Sequence, residues 1–246
     1  MILLMSGNSI KCCFFAENTI SDKKAGDLKM WLCSRKKRSN LTKFYLSETE
    51  LNILKVLSEK SRETYLHSIN VSRLAVALGI SCRLSSEALR LLRVGGLMHD
   101  VGKLKVPCGI LNKKGSLDAE ETEEMRRHSI YGEELLRSTA GEQNESVLNI
   151  VRHHHEKTNG RGYPDGLLEE YLLVQIVTVA DIYDALRSNR CYRKGYDREK
   201  TFSILYDDDG INHDIVDRLY MFFQNDAFIQ DTAVSGPVMR NMPAFH

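Results

Sequence analysis

From residue 47 onward, apolar residues recur at three- and four-residue intervals, and the chain reads as a succession of helices. Ser47-Glu48-Thr49-Glu50 has the form of a capping box and opens a helix with Leu51, Leu54 and Leu57 on one face. A second stretch, about 62–78, places His67, Val71, Leu74 and Leu78 at helical spacing. Ser85 or Ser86 starts a third helix, which runs through Leu91, Leu92 and Gly95 to near His99. Asp118 and Glu121 form another capping box, heading a helix that carries Met125, His128, Gly132 and Leu135. Val147, Val151 and His154 share a face on the next one. The loop Asn159-Gly-Arg-Gly-Tyr-Pro-Asp-Gly166 then interrupts the pattern. A long helix follows, with Ile176, Val177, Ala180, Asp181, Asp184 and Ser188 along one side, and two more fit near 197–206 and 212–225. No alternating strand pattern appears after residue 45. These features predict an all-α helical bundle over residues 46–230. The short apolar runs Ile2–Met5 and Ile10–Phe15 suggest small β elements in a short N-terminal extension, residues 1–45, and residues 231–246 read as a C-terminal tail.

Composition narrows the class. The chain has 246 residues, 42% hydrophobic and 27% charged, which excludes a mainly disordered or fibrous protein. With 34 Lys and Arg against 33 Asp and Glu, the net charge is +1, so a nucleic-acid coat is excluded and nucleic acid is not an expected partner. Positive charge is concentrated in residues 21–43, where eight Lys and Arg face only Asp22 and Asp27. That run reads first as a solvated segment; a protein partner held through this extension and a homodimer stay open. No apolar run approaches the ~18–20 residues of a membrane span, and Met1–Met5 is too short for a secretory segment, so the expected location is cytoplasmic. The six cysteines form no CxxC pair and read as reduced thiols.

The chemistry lies in the histidines. Six of the eight fall at 67, 99, 128, 153, 154 and 155, at the inner edges of four helices. One such histidine is an ordinary hydrogen-bonded core residue, but five or more converging in a core lack enough partners. A metal removes the difficulty, because neutral imidazole is the commonest nitrogen ligand. Asp100 adds a carboxylate beside His99, Asp181 faces inward on the long helix, and Glu63 lies four residues before His67 on the same face. The expected ligand set is Glu63, His67, His99, Asp100, His128, His154, His155 and Asp181. Eight donors exceed one ion's needs and imply two or three. Mixed imidazole and carboxylate donors favour divalent transition metals such as iron, manganese or nickel over magnesium or calcium. His153 is expected beside the site rather than in it, and Asp207-Asp-Asp-Gly210 is a turn, not a calcium loop.

The blocks His99-Asp-Val-Gly-Lys103 with Pro107 and Ile110-Leu-Asn-Lys113, His154-His-Glu-Lys-Thr-Asn-Gly-Arg-Gly-Tyr-Pro-Asp-Gly166, and Val179-Ala-Asp-Ile-Tyr-Asp-Ala-Leu186 with Asn189-Arg-Cys-Tyr-Arg193 occur in this order. Together they resemble the HD-GYP branch of the HD phosphohydrolase superfamily, over about residues 47–225. The resemblance implies an HD-type bundle, a bi- or trinuclear metal site and hydrolysis of cyclic di-GMP to pGpG, with continuation to GMP left open. Two ions can clamp a phosphodiester and deprotonate a water between them. Asp100 is then the bridging carboxylate and Lys103 the cation facing the scissile phosphate. Gly162, Tyr163 and Pro164 form the substrate lip, Arg190 and Arg193 hold phosphate, and Asp184 accepts from the guanine edge. Glu63 goes with a third ion in part of the family. One departure stands out: Thr158-Asn159-Gly160 replaces the usual Trp-Asp-Gly. A nucleotide sensor without turnover, or an enzyme for another cyclic dinucleotide, remain the alternatives.

Overall fold

A computed structural model describes residues 46–139, 144–188 and 194–232, with the backbone alone for 225–232. The apolar runs at Ile2–Met5 and Ile10–Phe15, the basic segment, Arg190 and Arg193 lie outside the described residues. Among those described, helices and one 3₁₀ turn make up the regular structure, and the only pairing of strand type is an isolated bridge between Lys157 and Leu168.

The helix starts are written in the capping residues. Ser47 Oγ accepts from Glu50 N at 3.1 Å while Ser47 N donates to Glu50 Oε2 at 2.7 Å, closing the box that opens α1, Glu48–Lys60. Ser61 and Ser85 cap α2, Arg62–Ser81, and α3, Ser86–Met98. After α3 the chain tightens into a 3₁₀ turn, Val101–Leu104, followed by the single turn α4, Cys108–Leu111. The Asp118–Glu121 box opens α5, Ala119–Arg126. The sequence pattern predicts one helix from there through Leu135. Instead the chain breaks at Arg127, where ψ is −10°, and restarts as α6, His128–Thr139. Helical periodicity is the same on both sides of the break, so the sequence does not betray it. Helix α7, Glu145–His153, then leads into the glycine-rich loop. Helices α8, Leu172–Arg187, α9, Arg198–Asp207, and α10, His213–Thr232, complete the bundle.

Helix α8 is the axis of the core. Val174, Ile176, Val177, Val179 and Ala180 are all buried, so apolar packing surrounds much of this helix. It packs against Val71 and Leu78 of α2, Leu92 of α3, Phe202 and Leu205 of α9, and Ile215 and Leu219 of α10. A second cluster joins Leu54 and Leu57 of α1, Met98 of α3, Leu136 of α6 and Leu148 and Val151 of α7. Each such side chain contributes about 1.5–3 kcal/mol by leaving water. Helices α3 and α7 take part in both clusters, and their C-terminal ends carry His99 and His154. Two helices anchored in both clusters therefore hold the site's central residues.

Candidate metal centre

His99, His128 and His154 are positioned in the same way. Each follows or begins a helix, and each Nδ1 faces the carbonyl oxygen three residues earlier: Gly96 O at 2.9 Å, Met125 O at 2.7 Å and Val151 O at 2.9 Å. A carbonyl only accepts, so each Nδ1 carries the proton and each Nε2 a lone pair. His99 Nε2 is buried without any hydrogen-bond partner. His128 Nε2 and His154 Nε2 lie 3.2 Å apart, yet two lone pairs cannot bond to each other. A buried acceptor left unsatisfied costs about 1–3 kcal/mol. A cation among these nitrogens satisfies all three, so the donor set fits a metal.

The donors form three groups, one of which, His99, Asp100 and His154, shares His99 with one of the others and His154 with the other. His67, His99 and Asp181 make the second and His128, His154 and His155 the third, each with its donor atoms within 4.8 Å of one another. Asp100 Oδ2 lies 3.8 Å from His67 Nε2 and 3.5 Å from His99 Nε2, while Oδ1 lies 3.4 Å from His128 Nε2. One oxygen thus faces each of the other two groups. Asp100 owes this position to the bend after α3, where its φ is −100° and ψ is 5°. The bend requires Gly102: a Cβ there would stand 1.8 Å from His128 O and 2.4 Å from Gly132 N, so a side chain would push α6 and His128 away.

The electrostatics are those of a cation site. Burial alone would raise the Asp100 carboxyl, but the Lys103 ammonium at 2.7 Å, then His99, His128 and His67, hold it well below the carboxylate range. Asp181 is held well below that range too, burial again being outweighed by His67, His99 and His155. Burial lowers His128 to about 4 and His155 to about 3, and also lowers His99 and His154, so these imidazoles are neutral at pH 7. His67 goes the other way. Burial lowers it, but hydrogen bonds to Asp181 and Asp184 and the charges of Asp181 and Asp100 raise it to about 9. The acidic half of the site demands positive charge.

A cavity of about 390 Å³ opens onto these groups, with His67, Asp100, Lys103, His128, His155 and Asp181 on its floor. Tyr163 and the apolar side chains of Met125, Ile182 and Leu186 form its walls. Tyr163 stacks on His155 with ring centroids 4.6 Å apart, and the Arg126 guanidinium lies 5.3 Å from the centroid of the Tyr163 ring. The loop bearing Tyr163 is organised by Glu156, a residue the sequence reading does not single out. Its buried carboxylate accepts from the backbone N–H of Asp165 at 2.6 Å, Gly166 at 3.0 Å and Leu167 at 3.1 Å. The loop then folds back so closely that a Cβ on Gly162 would stand 2.4 Å from Glu156 Cα. Arg152 fixes the far side by donating from Nε and Nη2 to Asp165, with His153 Nε2 also 3.1 Å from that carboxylate. The signal available in the sequence was an acid directly before a loop whose N–H groups need an acceptor.

Of the expected ligands, His67, His99, Asp100, His128, His154, His155 and Asp181 are brought together. Glu63 is not: it stands exposed on the first turn of α2 and belongs to none of the three groups. Lys103 reaches the site from the 3₁₀ turn rather than from a continuing α-helix. Tyr163 lines the cavity, whereas Gly162 and Pro164 are not among its lining residues, and Gly162 lets the loop approach Glu156 closely. Asp184, expected at the guanine edge, is buried with its Oδ2 2.7 Å from His67 Nδ1.

Comparison with known proteins gives the chain's family and relatives. The model of the family described as HD domain matches residues 64–186, half of the chain. The cyclic di-GMP phosphodiesterase PA4108 of Pseudomonas aeruginosa is 39% identical over 142 residues, covering 57% of this chain and 34% of that protein. The 3'3'-cGAMP-specific phosphodiesterase 2 of Vibrio cholerae is 32% identical over 155 residues, covering 62% of this chain and 30% of that protein. The chain thus spans about a third of the length of each of these two relatives. The solved HD domain of the L. monocytogenes phosphodiesterase PgpH, in complex with cyclic-di-AMP, has a TM-score of 0.53 at 18% identity. That match covers 77% of this chain and 99% of the other, and shows a common fold.

Proposed function

This chain belongs to the HD domain family, and from that premise we propose that it is a metal-dependent phosphodiesterase that hydrolyses cyclic di-GMP. The observation that carries the proposal is the convergence of three tautomer-fixed imidazole lone pairs around the Asp100 carboxylate. We take residues 46–230 as the catalytic unit. His67, His99 and Asp181 would hold one ion and His128, His154 and His155 a second, with Asp100 shared between them. We assign two ions rather than three because Glu63 is exposed, and the mixed donors suit iron, manganese or nickel. Bound there, such ions supply Lewis acidity toward a phosphodiester's non-bridging oxygens and make water a competent nucleophile at neutral pH.

The chain's own groups do the rest. Lys103, on the cavity floor, offers an ammonium to the phosphoryl oxygens as charge builds on them. Tyr163 closes one wall and offers a ring face or a hydroxyl, and its phenol is raised by burial, so it stays a donor. Met125, Ile182 and Leu186 give the base and ribose an apolar surface. We assign phosphate binding to Arg190 and Arg193 on the strength of their motif. One water is consumed per P–O3′ bond broken, giving pGpG first and GMP after a second cleavage.

The test is to incubate the chain, supplied with manganese or iron, with cyclic di-GMP and follow pGpG. Steady conversion is expected, and Asp100→Ala should reduce it to background. Tight binding of a dinucleotide that is returned intact would contradict hydrolysis. Because relatives carry names with different cyclic dinucleotides, the same assay is run with cGAMP and cyclic-di-AMP.

A further inference from the structure

Three of the site's histidines take their tautomer from a backbone carbonyl at the end or start of a helix. His67 has no such partner. It lies in the second turn of α2, inside the helix, where backbone carbonyls are engaged in the helix's own ladder. Its ring is held from another helix instead. Asp184, one turn beyond Asp181 on α8, accepts from His67 Nδ1 at 2.7 Å, and Ser188 Oγ donates to the same oxygen at 3.3 Å. On the opposite edge of the ring, Nε2 is 2.8 Å from Asp181 Oδ1 and 3.8 Å from Asp100 Oδ2.

An imidazole between carboxylates can place a single neutral-state proton on either nitrogen. Only the Nδ1–H tautomer leaves a lone pair on Nε2, the nitrogen that faces Asp100, Asp181 and His99. Asp184 touches Nδ1 alone, is buried, and has Ser188 fixing its oxygen, so it selects that tautomer and holds the ring plane. A carboxylate in this position also makes the imidazole a stronger donor than a carbonyl does. We infer that Asp184 is a positioning residue for the ion of the His67–His99–Asp181 group, and not a contact for the nucleobase. It does not line the cavity, which α8 lines with Asp181, Ile182, Ala185 and Leu186. The inference rests on the proposal that this group holds a metal.

The full chain loaded with manganese is titrated with a chelator, and ions retained per chain are counted by elemental analysis for wild type, Asp184→Ala and Asp184→Asn. Asp184→Ala should release one ion at a chelator concentration roughly 10–100-fold lower than wild type and keep the other unchanged. Asp184→Asn should fall between, because its amide oxygen still accepts from Nδ1 without the charge. Should the alanine variant not fold, the near-isosteric asparagine variant carries the same comparison. Under saturating manganese, the KM for cyclic di-GMP should match wild type. Wild-type ion retention in both variants overturns the inference, and does so most directly if KM then rises several-fold, as loss of a base contact would cause. A wild-type chain that retains no manganese overturns the metal reading itself.

Discussion

Lys103 has two tasks in one position. Its ammonium sits 2.7 Å from Asp100 Oδ2 and keeps that carboxylate ionised, yet it also lines the cavity where a phosphate would lie. The first task is shared with the charge of His67, whereas nothing else among the described residues lining the cavity offers an ammonium to the substrate. Lys103→Ala is therefore expected to lower kcat by roughly 10²–10³ while leaving the ion count per chain unchanged. Steady-state kinetics beside elemental analysis checks this; loss of the ions along with kcat would assign Lys103 to the metal site instead. At this scale the sequence was most readable where a residue's chemistry has one plausible purpose. Five clustered imidazoles and two acids imply a cation whatever the backbone does. Asp184 and Glu156 were not readable in the same way, because an acid's partner is a fact of tertiary structure. Spacing put Asp184 on the face of Asp181, but it could not say that the first neighbour there is His67 from α2.

Among the elements, the glycine-rich loop is the one whose shape depends on a single buried side chain. Glu156 gathers three backbone N–H groups that no secondary structure serves, and its neighbour His155 receives the Tyr163 ring. Glu156→Gln keeps the volume but turns one acceptor into a donor facing N–H groups, a change worth about 1–3 kcal/mol locally. Amide exchange at Asp165, Gly166 and Leu167 should accelerate accordingly, with exchange in the buried middle of α8 unaltered. Unchanged exchange in the loop would mean that Arg152 and its ion pair with Asp165 hold it unaided. The helices themselves were legible because their starts carry explicit chemistry: the Ser47 and Asp118 boxes open α1 and α5 as expected. The break at Arg127 and the 3₁₀ turn after Asp100 were hidden, since both preserve the spacing of the apolar positions while changing the direction of the chain.

For the molecule as a whole, two apolar clusters share α3 and α7, and the site lies where those helices end. Such a frame holds seven ligand-type side chains within reach of one another despite the energetic penalty of burying neutral imidazoles and ionised acids together. The bundle was foreseeable from periodicity, and the convergence of its histidines from their number. Glu63 shows where that logic stops, because a residue at the right spacing on the right helix can still face water. The proposed function requires cations to hold this set together. Elemental analysis of chain purified anaerobically, with iron, manganese and nickel supplied, tests that requirement most directly. About two transition-metal ions per chain are expected; protein that is folded yet carries essentially none would contradict it.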